Sequence, residues 1–279
     1  MMENAMDLDA RPAADYPVAD LVGLMNRGFE NYFVPIQLNT AAFLSMIRED
    51  SVDLTASRVV LMDEKPVGIA LIARRGWASR LAAMGIASEA RTRGVGSWIV
   101  ERILQEARER NDREMVLEVI EQNEPAVRLY QKYRFETVRR LVSFVGSEVK
   151  QGEGDELEEM DLRELGAMIN LHGISDLPWQ ISGETIAQMN PPARAYRKGR
   201  SYAAISNPEA EHIVFWSVLV EKEGRGHDLA EKMIHTVMVY HGKKTWHVPA
   251  LCPEEIGVVF ERAGFEREKL SQWQMRIAL

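Results

Sequence analysis

The stretch "RTRGVG", residues 91–96, places two arginines and two closely spaced glycines directly before a run of helical periodicity. The N-terminus of a helix presents backbone N–H groups without intrahelical partners, together with the positive end of the helix dipole. Gly94 and Gly96 leave room for a phosphate to approach those groups, and Arg91 and Arg93 add charged donors. The stretch therefore predicts an anion site, with a tight turn bearing solvated arginines as the alternative.

Two familiar phosphate-binding loops do not fit this stretch. A P-loop needs Lys followed by Ser or Thr after its last glycine, but Gly96 is followed by Ser-Trp. A dinucleotide fingerprint needs a third glycine three positions after the second, where this chain has isoleucine. The spacing that remains is Arg-x-x-Gly-x-Gly, which Arg91, Gly94 and Gly96 satisfy.

Strands and helices alternate around this loop. Helical periodicity covers about 17–30, 39–49 and 94–110, and "SRVVLMDEKPVGIALIARR" holds two strand-like runs around a hairpin signal. Further strands are indicated by "RLAAMGIA", "EMVLEVI" and "ETVRRLVSF", and a helix by "NEPAVRLYQKY", with Pro125 in its first turn. This order predicts an α/β fold, with a mixed (α+β) sheet and at least one parallel crossover.

Two segments in this order carry a family resemblance. "MGIASEARTRGVGSWIVERIL" followed by "LEVIEQNEPAVRLYQKYRF" resembles the GNAT superfamily of acetyl-CoA-dependent N-acetyltransferases. The resemblance covers the first half of the chain and is most specific over 84–135. It implies the GNAT-like acyltransferase fold, acetyl-CoA as the acetyl donor, and a primary amine as the acceptor.

The resemblance also implies which residues bind acetyl-CoA. The backbone of three strand residues would hydrogen-bond the pantetheine arm, the loop and the start of the helix would surround the pyrophosphate, and Asn123 would lie near the thiol end. These candidate cofactor-binding residues are Met84, Gly85, Ile86, Arg91, Thr92, Arg93, Gly94, Val95, Gly96, Ser97 and Asn123. Arg134 departs from the family, which has glycine at this helix end, and predicts a locally altered helix terminus.

Acetyl transfer to an amine needs a group that takes the amine proton and a group that protonates the leaving thiolate. By the same resemblance Glu118 is the general base and Tyr130 the general acid of a direct attack in a ternary complex. Glu118 lies in an apolar strand, where burial would favour its role as a base; the alternative is that it faces solvent. The alternative role for Tyr130 is that of an aromatic side chain that only packs.

The acceptor side of the family corresponds here to about 28–57. Tyr32, Phe33 and Asp53 are the candidate substrate-region residues, with Asp50 a further acid that would suit an ammonium group. Helix capping and a solvated loop are the alternative for the acids. Peptide N-termini, lysines, polyamines, aminoglycosides and small amines all remain open as acceptors.

The second half repeats the pattern of the first at an offset of 130 residues, with "EKEGRG" at 221–226 matching the glycine loop. We predict a catalytic domain at 1–146, a linker at 147–160 and a degenerate GNAT-like domain at 161–279. The role of this second domain would be either structural or to shape the acceptor cleft. One strand of the second copy is expected to be missing. Its site positions differ from those of the first copy: Glu221, Glu223, Val248, Pro253 and Phe260 stand where the first has Arg91, Arg93, Glu118, Asn123 and Tyr130.

Composition bounds the remaining possibilities. The chain has 279 residues and one cysteine, and a single cysteine excludes a four-cysteine zinc site or a disulfide framework. Its formal net charge of −8 argues against a nucleic-acid partner. We expect no metal, no membrane partner, a cytoplasmic location, and a monomer or homodimer. The alternative function is a non-catalytic sensor of acetyl-CoA or acyl-CoA, or an interaction module, and the presence of Glu118, Asn123 and Tyr130 favours the enzyme.

Overall fold

The computed structural model describes residues 7–147, 157–242 and 244–279. The chain divides into two compact units, Met1–Val138 with Gln274–Leu279 and Arg139–Trp273. The division falls before the predicted domain end at 146, and the C-terminal residues belong to unit 1. Of the predicted linker 147–160, residues 148–156 lie outside the described residues, and Glu158–Met160 form a strand.

Unit 1 is built on a mixed sheet with helices. Its strands are β1 (Leu8–Pro12), β2 (Arg58–Met62), β3 (Lys65–Arg75), β4 (Ala78–Ile86) and β5 (Glu114–Ile120) in spatial order, completed by the C-terminal residues beside β5. Its helices are α1 (Val18–Gly28), α2 (Thr40–Asp50), α3 (Val95–Glu109) and α4 (Glu124–Lys132). β1 has no counterpart in the sequence prediction, because only every second residue of "LDARP" is partly buried.

The predicted hairpin and crossover are both present in unit 1. β2 and β3 are antiparallel around a turn in which Asp63 and Glu64 both have positive φ, while β4 and β5 are parallel and joined through α3. Val59, Ile69 and Leu71 have no solvent exposure. Such continuous apolar strands are typical of a sheet covered on both faces.

Unit 2 repeats this order of elements. Its strands are β6 (Glu136–Gly146), which begins in unit 1, β7 (Glu158–Met160), β8 (Arg194–Lys198), β9 (Ser201–Ile205), β10 (His212–Val220), β11 (Thr245–Pro253) and β12 (Glu266–Ala278), which ends in unit 1. Its helices are α5 (Leu162–His172), α6 (Gly183–Gln188), α7 (Leu229–His241) and α8 (Glu254–Arg262). The expectation of a missing strand is wrong, because β8 and β9 form a tight hairpin through Gly199.

Candidate active site

The site in unit 1 begins where β4 and β5 part. These strands pair from Ala78↔Glu114 to Arg80↔Val116, and the register of β4 against β3 shifts just beyond, so that Ala82 is an extra residue. A β-bulge bends its strand and strengthens the local twist. Beyond Arg80 and Val116 the two strands are not paired within the described residues, and the gap between them, with Met84, Gly85 and Ile86 on the β4 side, is called the opening below.

The predicted glycine loop lies at the N-terminus of α3. Thr92 and Gly94 have φ of 61° and 83°, and the helix begins at Val95. A Cβ on Gly94 would meet nothing within 4 Å, and one on Gly96 would meet only the Leu129 side chain at 3.5 Å, among the described residues. The first N–H groups of a helix have no intrahelical acceptors, so this open surface is a cradle suited to an anion.

Arg91 and Arg93 are used differently within this loop. Arg91 donates from Nε to the Ile86 carbonyl (2.9 Å) and from Nη2 to the Gly28 carbonyl (3.0 Å). It therefore ties the loop to the end of β4 and the last residue of α1. Arg93 contacts the Met62 sulfur from Nη1 at 3.6 Å, the weak kind of contact that a stronger acceptor can replace.

Lys132 is a charged group of this site that sequence reasoning missed. Its Nζ donates to Ser97 Oγ at 3.3 Å, while the neighbouring Tyr133 hydroxyl donates to the Ser97 carbonyl at 2.7 Å. These contacts bring a positive charge from α4 to the first turn of α3. No short-range motif indicates this, since the contacts depend on how the two helices pack.

Glu118 belongs to a buried ion triplet. Arg80 donates from Nε to Glu118 Oε2 at 2.7 Å and from Nη1 to Asp50 Oδ2 at 2.9 Å. The side chains of Arg80, Asp50 and Glu118 are 5%, 12% and 2% exposed. Glu118 Oε1 is buried without a hydrogen-bond partner among the described residues. Arg80 therefore binds one oxygen of Glu118 and fixes the position of its carboxylate.

Tyr130, Asn123 and Tyr32 lie close to one another. Burial, and secondarily the neighbouring Tyr32, raise the pKa of Tyr130, so its hydroxyl stays protonated and can donate. Burial raises the pKa of Tyr32, while a hydrogen bond with Asn123 acts in the opposite direction. Asn123 also accepts from the Ala126 amide at 3.4 Å as the N-cap of α4, the helix that carries Tyr130.

Aromatic side chains extend from Tyr32 towards solvent. The ring of Phe29 lies 5.1 Å from that of Tyr32, and the ring of Phe33 lies 5.5 Å away with 52% of the residue exposed. Gly28 and Gly85 let α1 approach β4 closely, because a Cβ on Gly28 would lie 2.7 Å from Gly85 Cα. The close approach positions the segment that follows α1 beside the opening.

Asp53 has the capping role that the sequence left as an alternative. Its Oδ1 accepts from the Thr55 amide (2.9 Å) and hydroxyl (2.5 Å) and from the Ala56 amide (3.1 Å), and its Oδ2 accepts from Arg74 at 3.0 Å. Burial acts to raise its pKa, but these hydrogen bonds outweigh burial and lower it to about 2. The carboxylate holds its own turn, so its proposed acceptor role is not supported by this arrangement.

The expected alteration of the helix end at Arg134 is also wrong. Arg134 adopts φ +68°, and the Phe135 amide donates to the Tyr130 carbonyl at 3.1 Å. The matching Gly264 has φ +90°, with the equivalent bond from Phe265 to Phe260 at 3.0 Å. Arg134 therefore accepts a left-handed conformation, which costs a non-glycine residue about 1–2 kcal/mol.

In unit 2 the corresponding positions serve packing and internal ion pairs. Glu221 accepts from the Tyr202 hydroxyl at 2.6 Å, and Glu223 lies 4.0 Å from His172. Phe260 packs between Phe144 and Phe265 at ring distances of 5.7 and 5.6 Å. A cavity of about 390 Å³ remains between β10 and β11, with mostly aliphatic and aromatic side chains around it.

Neither a metal site nor a membrane-spanning helix is found among the described residues. No cluster of three or more His, Cys, Asp or Glu side chains there is placed to hold a metal ion. None of the described helices is both long and apolar enough to cross a bilayer.

Comparison with known proteins relates the first half of the chain to a family. Residues 27–135 match the sequence model described as "Acetyltransferase (GNAT) family", whereas a search among curated proteins finds no match. The fold is similar to that of a GCN5-related N-acetyltransferase from Sphaerobacter thermophilus (TM-score 0.66, 14% identity, 97% of this chain and 95% of that one).

Two other solved structures share the fold. One is a tandem GNAT protein from the clavulanic acid biosynthesis pathway (TM-score 0.66, 14% identity, 98% of each chain). The other is a GCN5-related N-acetyltransferase from Kribbella flavida (TM-score 0.63, 16% identity, 98% of this chain and 71% of that one). The predicted resemblance and mixed α/β fold are thus confirmed, and the first unit of the chain carries an acetyltransferase domain of the GNAT family.

Proposed function

We propose that unit 1 transfers the acetyl group of acetyl-CoA to a primary amine by direct attack in a ternary complex. Two features carry the proposal. One is the unobstructed N-terminus of α3, and the other is the placement of Glu118 on β5, beyond its pairing with β4, with Tyr130 on the following helix α4.

The residues present fit coenzyme A. The cradle above Gly94 and Gly96 is open to a pyrophosphate, and Arg93 and Lys132 stand beside it. Arg91, by its bonds to two backbone carbonyls, holds the cradle in shape. The edge of β4 at Met84–Ile86 offers backbone groups to the amides of the pantetheine arm. When bound, the donor supplies an acetyl thioester at the opening between the strands.

Two side chains can carry out the two proton transfers of the reaction, one from the amine and one to the leaving thiolate. Glu118 Oε1, which has no hydrogen-bond partner among the described residues, is the atom that takes the proton of the ammonium acceptor. Tyr130 Oη, kept protonated by burial, gives a proton to the leaving sulfur. Tyr32 and Phe33 present an aromatic surface on the acceptor side.

A second candidate function is binding of acetyl-CoA without turnover. The observation that favours it is the ion pair of Glu118 with Arg80, which occupies one oxygen of the proposed base. The two candidates differ in thiol release, not in affinity for the donor.

Release of free thiol, with acetyl-CoA and a broad panel of amines, tests the proposal. Tyr130→Phe and Glu118→Gln should each lower kcat about 10²-fold or more while acetyl-CoA still binds. Gln keeps an acceptor for Arg80 but cannot take the proton. Tyr240→Phe, at an exposed tyrosine of unit 2, is the matched control and should leave the rate unchanged.

Each outcome decides between the alternatives. Donor binding without turnover on any amine would favour the sensor. Wild-type rates in both variants would show that Glu118 and Tyr130 do not have these roles.

We also propose that unit 2 does not bind acetyl-CoA. Glu221 and Glu223 place carboxylates where unit 1 has arginines, and Phe260 has no proton to donate. Calorimetric titration should give one acetyl-CoA per chain, and a stoichiometry of two would contradict this assignment.

A further inference from the structure

A second charged concavity lies in unit 1, at the opposite end of α3 from the glycine loop. Its volume is about 920 Å³, and we name it the arginine depression after its five arginines. The residues that form it are Arg75, Trp77, Ala78, Arg108, Arg113, Glu114, Arg134, Glu136, Arg276, Ile277 and Ala278. Because α3 has 15 residues, the two ends are about 22 Å apart. The depression is therefore separate from the proposed acetyl-CoA site.

The charge of the depression is opposite to that of the protein. The whole chain has a net charge of −8, whereas the depression has five arginines against two glutamates. Arg276 lies 3.8 Å from Glu114, but Arg108, Arg113 and Arg134 make no ion pair within the part of the chain that the structure describes. Guanidinium groups that outnumber their counter-charges repel one another and attract a multivalent anion.

Arg134 stands in this depression despite its backbone conformation. Its φ of +68° favours glycine, and Gly264 occupies the matching position of unit 2. Strained backbone positions are concentrated at sites where a side chain is needed for function. A ligand-binding role of the Arg134 guanidinium would explain why arginine stands here despite the conformational cost of a positive φ.

Trp77 adds a flat apolar surface beside the arginines. The guanidinium carbon of Arg113 lies 3.2 Å from the centre of its ring, so one face is covered. The residue is nevertheless 61% exposed, which leaves the other face to solvent. An exposed indole face beside arginines is suited to stacking a planar base.

We propose that the arginine depression binds a nucleoside di- or triphosphate, with the phosphates on Arg108, Arg113 and Arg134 and the base on Trp77. This inference goes beyond acetyl transfer and does not depend on it. The depression would recognise both parts of this ligand, since the arginines bind the phosphates and the indole stacks on the base.

Titration calorimetry with ADP and ATP tests the proposal, in the presence of saturating CoA so that the glycine loop is filled. Arg134→Gly is the sharpest variant, because glycine suits the backbone there and the variant should unfold at a higher temperature. It should also weaken ADP binding at least 10-fold. Trp77→Leu should weaken ADP binding to a similar degree while leaving inorganic pyrophosphate unaffected. Arg163→Ala, an exposed arginine of unit 2, is the control.

Three results would overturn the proposal. One is the absence of ADP and ATP binding to the wild-type protein. Another is unchanged ADP affinity in Arg134→Gly despite its higher stability, which would give Arg134 no ligand role. The third is equal affinity for pyrophosphate and ADP, which would exclude a base on Trp77. If CoA itself does not bind, the same titrations without it still test the depression through Arg134→Gly and Trp77→Leu.

Discussion

Replacement of Arg80 by methionine should destabilise the protein strongly. Arg80 lies between two carboxylates, 2.7 Å from Glu118 and 2.9 Å from Asp50, and its side chain is 5% exposed. Methionine fills a similar volume but has no charge. Glu118 would then lie within the protein without the guanidinium that pairs with it.

The expected loss follows from the burial of this triplet. Breaking a buried ion pair by removing one partner typically costs 3–5 kcal/mol, because the remaining charge is left without compensation. Here the side chains of Asp50 and Glu118 are only 12% and 2% exposed, so solvent cannot replace the arginine. We therefore expect the free energy of unfolding to fall by about 3–5 kcal/mol in Arg80→Met.

Urea denaturation followed by circular dichroism measures this loss, and Arg128→Met is its matched control. Arg128 lies 2.9 Å from Glu124, but these side chains are 66% and 75% exposed. At the same distance, the exposed pair should contribute no more than about 0.5 kcal/mol. Asp50→Asn and Glu118→Gln added to Arg80→Met should recover most of the lost stability, because they remove the two carboxylate charges that Arg80 binds.

The reasoning would be refuted by a loss below about 1 kcal/mol in Arg80→Met, or by an equal loss in Arg128→Met. Failure of the two neutral replacements to restore stability would show that Arg80 acts through packing of its side chain. In that case Glu118 would not be held by charge.

Two further predictions concern the elements around the site. Gly28→Ala should lower the free energy of unfolding by about 1–3 kcal/mol, because the added Cβ would lie 2.7 Å from Gly85 Cα. Thermal melts test this, with Gly23→Ala in the same helix as the control, because a Cβ at Gly23 would meet no described atom within 4 Å. Asp53→Asn should cost about 1 kcal/mol at pH 7, a value reduced for partial solvent exposure. Because the Asp53 pKa is lowered from 3.8 to about 2, the wild-type advantage should be complete above pH 4 and disappear as the pH falls through 2. Urea midpoints at pH 7, 4 and 2.5 measure it, and a constant difference across that range would contradict the assignment.

Features that depend on neighbouring residues were predictable from the sequence. The glycine loop, the start of α3 and the β4–α3–β5 crossover follow from local spacing and periodicity, because helices and turns are specified largely by residues close in the chain. The same holds for the replacements at 221–226, where two glutamates stand in place of arginines. The family resemblance rests on these local features.

Features that join distant residues were decided by the tertiary structure. Arg80 and Asp50 are 30 residues apart and Lys132 and Ser97 are 35 apart, and no spacing rule links them. The ion pair of Asp53 with Arg74, the bond from Arg91 to the Gly28 carbonyl and the gathering of five arginines in one depression likewise depend on packing. The sequence alone thus determined which residue types could bind an anion and move protons. Only the fold determined which of them are held by internal partners and which remain available, because burial and ion pairing arise when distant segments meet.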